Sequence, residues 1–178
     1  MSKHRSLKSL ALITALSSSL LPLAAHAQTG MIDLKGAAMP ITLVYPTATV
    51  ASLQMLGPFQ IKAALGAPLA KGNGRLIILS HGNGGSAIAS FDLASTLAAA
   101  GFVVASPEHQ GDNWRDQKLA GPESWKLRPA EVSKTIDAVM ADPRFAPLLD
   151  AGKVGVHGMS AGGVRRWRRR AASGAWPA

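Results

Sequence analysis

The fold of this chain is decided by residues 153–163, which read Lys153-Val154-Gly155-Val156-His157-Gly158-Met159-Ser160-Ala161-Gly162-Gly163. A short apolar strand runs directly into a Gly-x-Ser-x-Gly motif, which is the pattern of a nucleophile elbow. A serine hydroxyl becomes a useful nucleophile when a sharp strand-to-helix turn lifts it clear of the backbone, and the flanking glycines leave room for that turn. The motif therefore predicts that Ser160 is a catalytic nucleophile.

The segment after Ser160 does not supply the groups that would activate it. Only eighteen residues follow, and they contain no His, Asp or Glu. Residues 165–170 hold five arginines, which cannot form the buried face of a helix under the serine. The restricted composition of residues 164–178 is typical of GC-rich DNA translated out of frame, so we expect a frameshift near Gly163 or Val164. The alternative is a genuine basic tail that binds polyanions.

The N-terminal segment, residues 1–27, has the composition of a secretory signal. It starts with basic residues, continues through a short apolar run interrupted by Pro22, and ends in Ala25-His26-Ala27. This order is typical of a signal peptide with an Ala-x-Ala cleavage site, and the run is short for a membrane anchor. We expect export to the periplasm or the medium and a mature chain beginning at Gln28. Residues 28–163 would then form one partial domain and residues 164–178 an aberrant tail.

Composition and charge say little about a partner. The net charge is +9, but residues 28–164 hold eleven Lys and Arg against ten Asp and Glu. The body is thus nearly neutral, and its charge indicates neither a nucleic-acid partner nor stable membrane insertion once the signal is cleaved. The chain has no cysteine, so disulfides and thiolate metal sites are excluded.

The body of the chain predicts alternating strands and helices. We expect strands at residues 31–34, 41–45, 76–79, 102–105 and 153–156, helices from Ser90 to about Gly101 and from about Pro129 to Asp142, and mainly loop over residues 51–74. The first two strands are expected at the edge of the sheet. Strands linked by helices at these lengths predict an α/β fold, a three-layer sandwich with a mostly parallel sheet and a ligand site at the carboxyl ends of its strands.

Three strand ends carry polar or glycine-rich sequence, namely residues 81–85, 108–116 and 158–163. The carboxyl ends of parallel strands share one edge of a sheet, so these segments are expected to converge. Their order and content resemble the α/β-hydrolase superfamily, and within it bacterial dienelactone hydrolases and esterases related to platelet-activating-factor acetylhydrolase. The resemblance covers roughly Tyr45 to Gly163 and implies the N-terminal part of an α/β-hydrolase sandwich whose C-terminal strands are missing, which leaves the strand at 153–156 at an open edge.

The resemblance also implies roles for single residues. Ser160 would attack a carboxylic ester or lactone, and the backbone N–H groups of Asn83 and Ala161 would form the oxyanion hole. Candidate residues lining the site are His81, Gly82, Gly84, Glu108 and His109. The triad acid and histidine, which follow the serine in this superfamily, are absent, so this copy is expected to be inactive. No cofactor and no metal are implied.

Alternatives to this interpretation involve the upstream histidines and the loss of catalysis. His81, His109 or His157 could act as a base for Ser160, although His81 is expected to shape its loop and His157 to be packed in the core. The same histidines with Glu108 or Asp112 could form a zinc site, but no ligand spacing supports one. A further alternative is a non-catalytic exported domain that binds a ligand in the same cleft.

Overall fold

A computed structural model describes residues 28–35, 37 and 39–163. The predicted signal at 1–27 and the arginine-rich tail at 164–178 lie outside the described residues. In chain order the elements are β1 (Gln28–Leu34), β2 (Ile41–Thr47), β3 (Ser52–Leu56), β4 (Phe59–Leu65), β5 (Leu76–Ser80), α1 (Phe91–Ala99), β6 (Val103–Pro107), α2 (Pro122–Ala141), a 3₁₀ turn (Ala146–Leu148), β7 (Val154–Gly158) and a second 3₁₀ turn (Ser160–Gly163).

The strands form a single mixed sheet in the order β3-β4-β1-β2-β6-β5-β7. Strand β5 pairs in parallel with both β6 and β7, whereas β2 pairs antiparallel with β1 and with β6. The parallel half of the sheet carries the polar strand ends. Within the part of the chain that the structure describes, no helix is both long and apolar enough to cross a bilayer.

Helices α1 and α2 cover opposite faces of the sheet, which gives the three layers. Ala94 and Ala98 of α1 pack with Val44 and Val104 on one face. On the other face, α2 contributes Val132, Ile136 and Val139 to a cluster with residues of β2, β5 and β6. The predicted three-layer α/β fold is confirmed.

The order of the parallel strands creates a switch point at β5. Strand β6 lies on one side of β5 and β7 on the other, so the chain reverses direction across the sheet after β6. Right-handed crossovers then place α1 and α2 on opposite faces, and the loops that follow β5 and β7 open a crevice at their carboxyl ends. This is where the fold positions Ser160.

The prediction of a loop over residues 51–74 is wrong for Ser52–Leu56 and Phe59–Leu65, which are strands. Strands β3 and β4 form an antiparallel hairpin in which Leu56 pairs with Phe59 across a turn at Gly57 and Pro58. Gly57 has φ +59°, which the turn requires and glycine tolerates. The hairpin lies at the far edge of the sheet and β3 has no fully buried residue, so its apolar pattern is weak.

The hairpin also corrects the predicted edge position of the first two strands. Strand β1 lies between β4 and β2, and β2 lies between β1 and β6. All seven residues of β2 are buried, which is the pattern of an inner strand covered on both faces. Pro46 sits inside β2, where it pairs with Thr29 of β1 rather than ending the strand.

Helix α2 begins at Pro122, seven residues before the predicted start near Pro129. Pro122 occupies the first turn, where a backbone N–H would have no acceptor within the helix, so proline is tolerated there. The helix continues through Pro129. The extra turns carry buried Ser124 and Arg128 rather than apolar residues. A search for apolar periodicity therefore misses them.

Candidate active site

The elbow, residues 158–163, has a backbone that only small flanking residues allow. Ser160 has φ +52°, the left-handed conformation that non-glycine residues adopt rarely and that recurs at functional turns. A Cβ on Gly158 would lie 1.9 Å from the carbonyl oxygen of Gly162, and a Cβ on Gly162 would lie 2.1 Å from the carbonyl oxygen of Ser80. Both glycines of the Gly-x-Ser-x-Gly motif are therefore required by close backbone packing.

The three polar strand ends meet as expected. The glycine loop, residues 81–85, follows β5 and approaches the elbow, since a Cβ built on Gly82 would lie 3.5 Å from the Cβ of Ser160. The loop after β6 joins it through a hydrogen bond of 2.9 Å from the N–H of Trp114 to the carbonyl oxygen of Gly85. The backbone N–H of Met159 in turn donates to the carbonyl oxygen of Ser80 at 3.2 Å.

His81 is buried behind the glycine loop and braces it. Its Nδ1 donates to the carbonyl oxygen of Gly82 at 2.7 Å, while its Nε2 accepts the backbone N–H of His109 at 3.2 Å. Burial lowers the pKa of His81 to about 4, and the neighbouring charge on Arg128 acts in the same direction. The imidazole is therefore neutral near pH 7, and both of its nitrogens are occupied.

A buried ion pair between Arg128 and Asp112 supports the same loop. The guanidinium donates to a carboxylate oxygen of Asp112 at 2.8 Å and to the carbonyl oxygens of His81 and Gly82. Asp112 also accepts the backbone N–H of Gly84 at 2.8 Å and the hydroxyl of Ser124 at 2.5 Å. Burial of Asp112 acts to raise its pKa, but the hydrogen bonds from Ser124, Arg128 and Gly84 outweigh this and lower it, so the carboxylate is ionised.

The two residues predicted to form the oxyanion hole are Asn83 in the glycine loop and Ala161 in the elbow. Asn83 is exposed, and its side-chain oxygen accepts the indole N–H of Trp125 at 2.9 Å. Its backbone N–H makes no hydrogen bond with any residue in 28–35, 37 and 39–163. Ala161 follows Ser160 at the start of the 3₁₀ turn and is buried. An oxyanion donor must be an N–H that is free to bind the substrate, and the N–H of Asn83 meets this condition among the described residues.

His109 belongs to a buried chain of hydrogen bonds under α2. Its Nδ1 donates to Glu131 at 2.6 Å, and its Nε2 lies 2.8 Å from the hydroxyl of Ser80. This resembles a Ser-His-acid arrangement, but Ser80 alternates with Leu76 and Ile78, whose side chains face α2, and it is 3% exposed. This series of hydrogen bonds therefore fastens the ends of β5 and β6 to α2 and offers no accessible nucleophile.

The remaining predicted residues have structural positions. Glu108 accepts the backbone N–H of Ala87 at 2.7 Å, which ties the end of β6 to the approach to α1. His157 was predicted to be packed in the core, and this is wrong because its side chain is exposed. Strand β7 is the last strand of the described sheet, so one side of it has no strand beside it.

Ser160 lacks an activating partner within the described residues. No histidine there hydrogen-bonds its hydroxyl, and both nitrogens of His81 and of His109 are bound elsewhere. Among residues 28–35, 37 and 39–163, no group of three His, Asp or Glu residues is arranged to hold a metal ion. The site therefore contains a serine in a strained turn and a free backbone N–H in the neighbouring loop, without a base bound to the serine among the described residues.

Sequence reasoning did not find Arg128, Ser124 or the pairing of His109 with Glu131. Arginine is rarely fully buried, and nothing in the order of residues marks Arg128 as an exception. A usable signal was present in the spacing of Ser124, Arg128 and Glu131, which recur at four and three residues and so share one face of a helix.

Comparisons with known proteins show a family match over part of the chain and a shared fold. Residues 36–116 match the family described as platelet-activating factor acetylhydrolase, isoform II. No curated protein sequence matches the chain significantly.

Among solved structures, the ferulic acid esterase from Streptomyces cinnamoneus superposes with a TM-score of 0.63 at 21% identity, covering 79% of this chain and 54% of the esterase. A protein from Klebsiella pneumoniae described as a dienelactone hydrolase has a TM-score of 0.42 at 18% identity, covering 73% of this chain and 48% of its own. The acylaminoacyl peptidase of Pyrococcus horikoshii has a TM-score of 0.41 at 12% identity, covering 79% and 20%.

The fold assignment rests on the first of these structures, of which the chain spans about half the length. The elbow at Ser160 and the glycine loop are among the features on which the sequence resemblance rested. The chain thus shares the fold of the ferulic acid esterase over the part that superposes, and residues 36–116 match the family of platelet-activating factor acetylhydrolase, isoform II.

Proposed function

We propose that Ser160 is the nucleophile of a serine hydrolase that cleaves small carboxylic esters or lactones. The observation that carries the proposal is the strained backbone of Ser160 at φ +52°, beside a glycine loop whose Asn83 N–H has no partner among the described residues. The match to an acetylhydrolase family and the fold shared with an esterase support this reaction class.

The proposed reaction is acyl transfer to Ser160. The hydroxyl oxygen attacks the carbonyl carbon, and the negative charge on the carbonyl oxygen is stabilised by the N–H groups of Asn83 and Ala161. The bond to the leaving alcohol then breaks, which leaves an acyl-enzyme that water hydrolyses. A base must take the proton from Ser160 and deliver one to the leaving group.

We infer that the chain as written lacks this base and is inactive. Residues 164–178 contain no His, Asp or Glu; none of His81, His109 and His157 is hydrogen-bonded to Ser160, and both ring nitrogens of His81 and His109 are bound elsewhere. A reading frame that continues the elbow into an apolar helix would supply the acid and the histidine in the order typical of the superfamily.

We also infer that the protein is exported. The signal-like composition of residues 1–27, which ends in Ala25-His26-Ala27, motivates this. Cleavage there would leave every described strand intact. Mass spectrometry of protein recovered from outside the cytoplasm tests it, since an N-terminus other than Gln28 contradicts the predicted site.

The first experiment is to resequence the locus and translate the other frames downstream of the Gly163 codon. We expect one frame to encode an apolar helix, further strands, an Asp and a late His. The chain continued in that frame should hydrolyse p-nitrophenyl acetate, and Ser160→Ala should lower its kcat at least 1,000-fold. The chain as written should give no turnover.

Two results would overturn the proposal. The first is a restored chain whose hydrolysis is unaffected by Ser160→Ala. The second is the lack of any such frame together with ligand-induced thermal stabilisation of the present chain without turnover, which would favour a non-catalytic binding domain.

A further inference from the structure

We propose that Arg128 is a positioning residue that orients the backbone N–H of Asn83 toward the carbonyl oxygen of the substrate. The inference rests on the proposed function, because an oxyanion donor has a role only if Ser160 attacks a carbonyl. It assigns Arg128, a residue of α2 with no place in the sequence motifs, to the preorganisation of the site.

The argument starts from the peptide that joins Gly82 to Asn83. Its carbonyl oxygen accepts three hydrogen bonds, from Nδ1 of His81 at 2.7 Å, from the N–H of Gly85 at 3.1 Å and from Nη2 of Arg128 at 3.3 Å. A trans peptide is planar, so its C=O and N–H point in opposite directions. Fixing the carbonyl therefore fixes the N–H of Asn83, which points opposite to the carbonyl and its donors and is free among the described residues.

Arg128 is itself held in one position. It is 1% exposed, and besides the pair with Asp112 its Nε lies 3.2 Å from the hydroxyl of Ser124. It also donates to the carbonyl oxygen of His81, the residue before the peptide in question. A planar guanidinium with five donors can reach a carboxylate and two carbonyls together, whereas the single ammonium of a lysine cannot keep all of these directions.

The ion pair also closes the loop from its other end. Asp112 binds the guanidinium of Arg128 through one carboxylate oxygen and the N–H of Gly84 through the other. The peptide between Gly82 and Asn83 is thus held at its own carbonyl by Arg128, and the following peptide is held at the N–H of Gly84 by Asp112. Buried ion pairs are a weak source of net stability, so the geometry of the loop is the property for which this pair is best suited.

The test replaces the nucleophile so that no base is needed. In the full chain carrying Ser160→Cys, the thiolate attacks p-nitrophenyl acetate. A C–S bond forms, the C–O bond to p-nitrophenolate breaks, and the charge passes through the carbonyl oxygen. Iodoacetamide alkylates the same thiolate by displacing iodide at a saturated carbon, with no oxyanion. The ratio of the two rate constants measures oxyanion stabilisation separately from the exposure and ionisation of the thiol.

We expect Arg128→Lys to lower the ratio of the acylation rate constant to the alkylation rate constant about tenfold or more. The fall should lie in the maximal acylation rate, and the ester concentration that gives half of that rate should be unchanged. The variant Arg128→Met/Asp112→Asn, which leaves no buried charge, should do the same if the lysine variant fails to fold. Lys126→Met, a change at an exposed residue of the same helix, should leave the ratio unchanged. Equal ratios in all these proteins would overturn the inference, as would a fall in both rates together.

The proposed function fails in a different way. If the Ser160→Cys chain with Arg128 intact shows no higher ratio than a small free thiol, the site has no oxyanion hole and the ester-hydrolase proposal falls with it. If that ratio is high and the Arg128 variants keep it, the hydrolase proposal stands and only the role of Arg128 is refuted.

Discussion

The glycine loop and the elbow lie side by side at the same edge of the sheet, yet different forces hold them. Polar side chains hold the glycine loop, through His81, Arg128 and Asp112. The elbow is held by close contact between backbones, because Gly158 and Gly162 have no room for a Cβ. The comparison teaches that one half of the site depends on charge and hydrogen bonding and the other on the absence of side chains.

The difference extends to what each half still needs. In the glycine loop, polar partners hold the carbonyl oxygens of His81 and Gly82 and the N–H of Gly84, whereas the N–H of Asn83 has no partner among the described residues. At the elbow, the hydroxyl of Ser160 has no hydrogen-bond partner among the described residues. The support of the Asn83 N–H therefore does not depend on the base, since it comes from α2, which precedes the elbow in the chain.

The largest effect should come from removing the charge that supports the glycine loop. Arg128→Met leaves the carboxylate of Asp112 buried without its cation, which should cost about 3–5 kcal/mol of unfolding free energy. Adding Asp112→Asn should restore part of this loss, because the uncompensated charge is then removed. Urea denaturation of the single and double variants measures both, and Lys126→Met at an exposed pair is the matched control. A cost below 1 kcal/mol would show that the loop does not depend on this pair.

A smaller but still large effect should come from filling the elbow. Gly162→Ala places a Cβ 2.1 Å from the carbonyl oxygen of Ser80, and neither backbone can move freely. We expect a loss of about 3 kcal/mol by denaturation. Gly152→Ala is the control, because its nearest contact would be the flexible side chain of Asp150 at 3.2 Å. Equal stability of the two variants would mean that the elbow is not closely packed.

The sequence predicted the parts of this molecule that depend on apolar runs and backbone motifs. Strands β5, β6 and β7 and helix α1 have continuous or periodic apolar residues, and the Gly-x-Ser-x-Gly motif marks the elbow directly. It failed for the β3–β4 hairpin, whose exposed position leaves little apolar pattern, and for the first turns of α2, which pack through Ser124 and Arg128.

The same limit explains the site. The convergence of the strand ends follows from parallel topology and could be predicted, as could the proximity of the glycine loop to Ser160. The support of that loop could not, because a buried arginine contributes no apolar period and its partners are backbone carbonyls that carry no sequence signal. The exposed position of His157 depends on which strands flank β7, and this is a property of the whole sheet.

The pH dependence of stability should separate the two halves more finely. Burial lowers the pKa of His81 to about 4 from the 6.5 of a solvent-exposed histidine; the hydrogen bond to Gly82 and the charge of Asp112 oppose this shift, while His109 and Arg128 add to it. The unfolded chain takes up the proton first, so the contribution of His81 is complete above about pH 6.5 and is lost as the pH falls toward 4. We expect about 2 kcal/mol less unfolding free energy at pH 5 than at pH 7. His81→Asn keeps a donor near Nδ1 and should remove this difference, and an equal fall in both proteins would refute the assignment.

The smallest effect should come from the buried chain under α2, and it tests whether that chain belongs to the support of the glycine loop. Ser80→Ala removes the partner of Nε2 of His109 and leaves that nitrogen buried, at a cost of about 1–2 kcal/mol. Ser95→Ala on α1, where the hydroxyl is exposed and bonds the carbonyl oxygen of Asp92, should change stability by less than about 0.5 kcal/mol. His109 donates its backbone N–H to His81, so the Ser80 variant should also speed amide exchange in residues 81–85. Unchanged amide exchange would mean that the hydrogen bonds of His109 anchor β6 to α2 independently of the glycine loop.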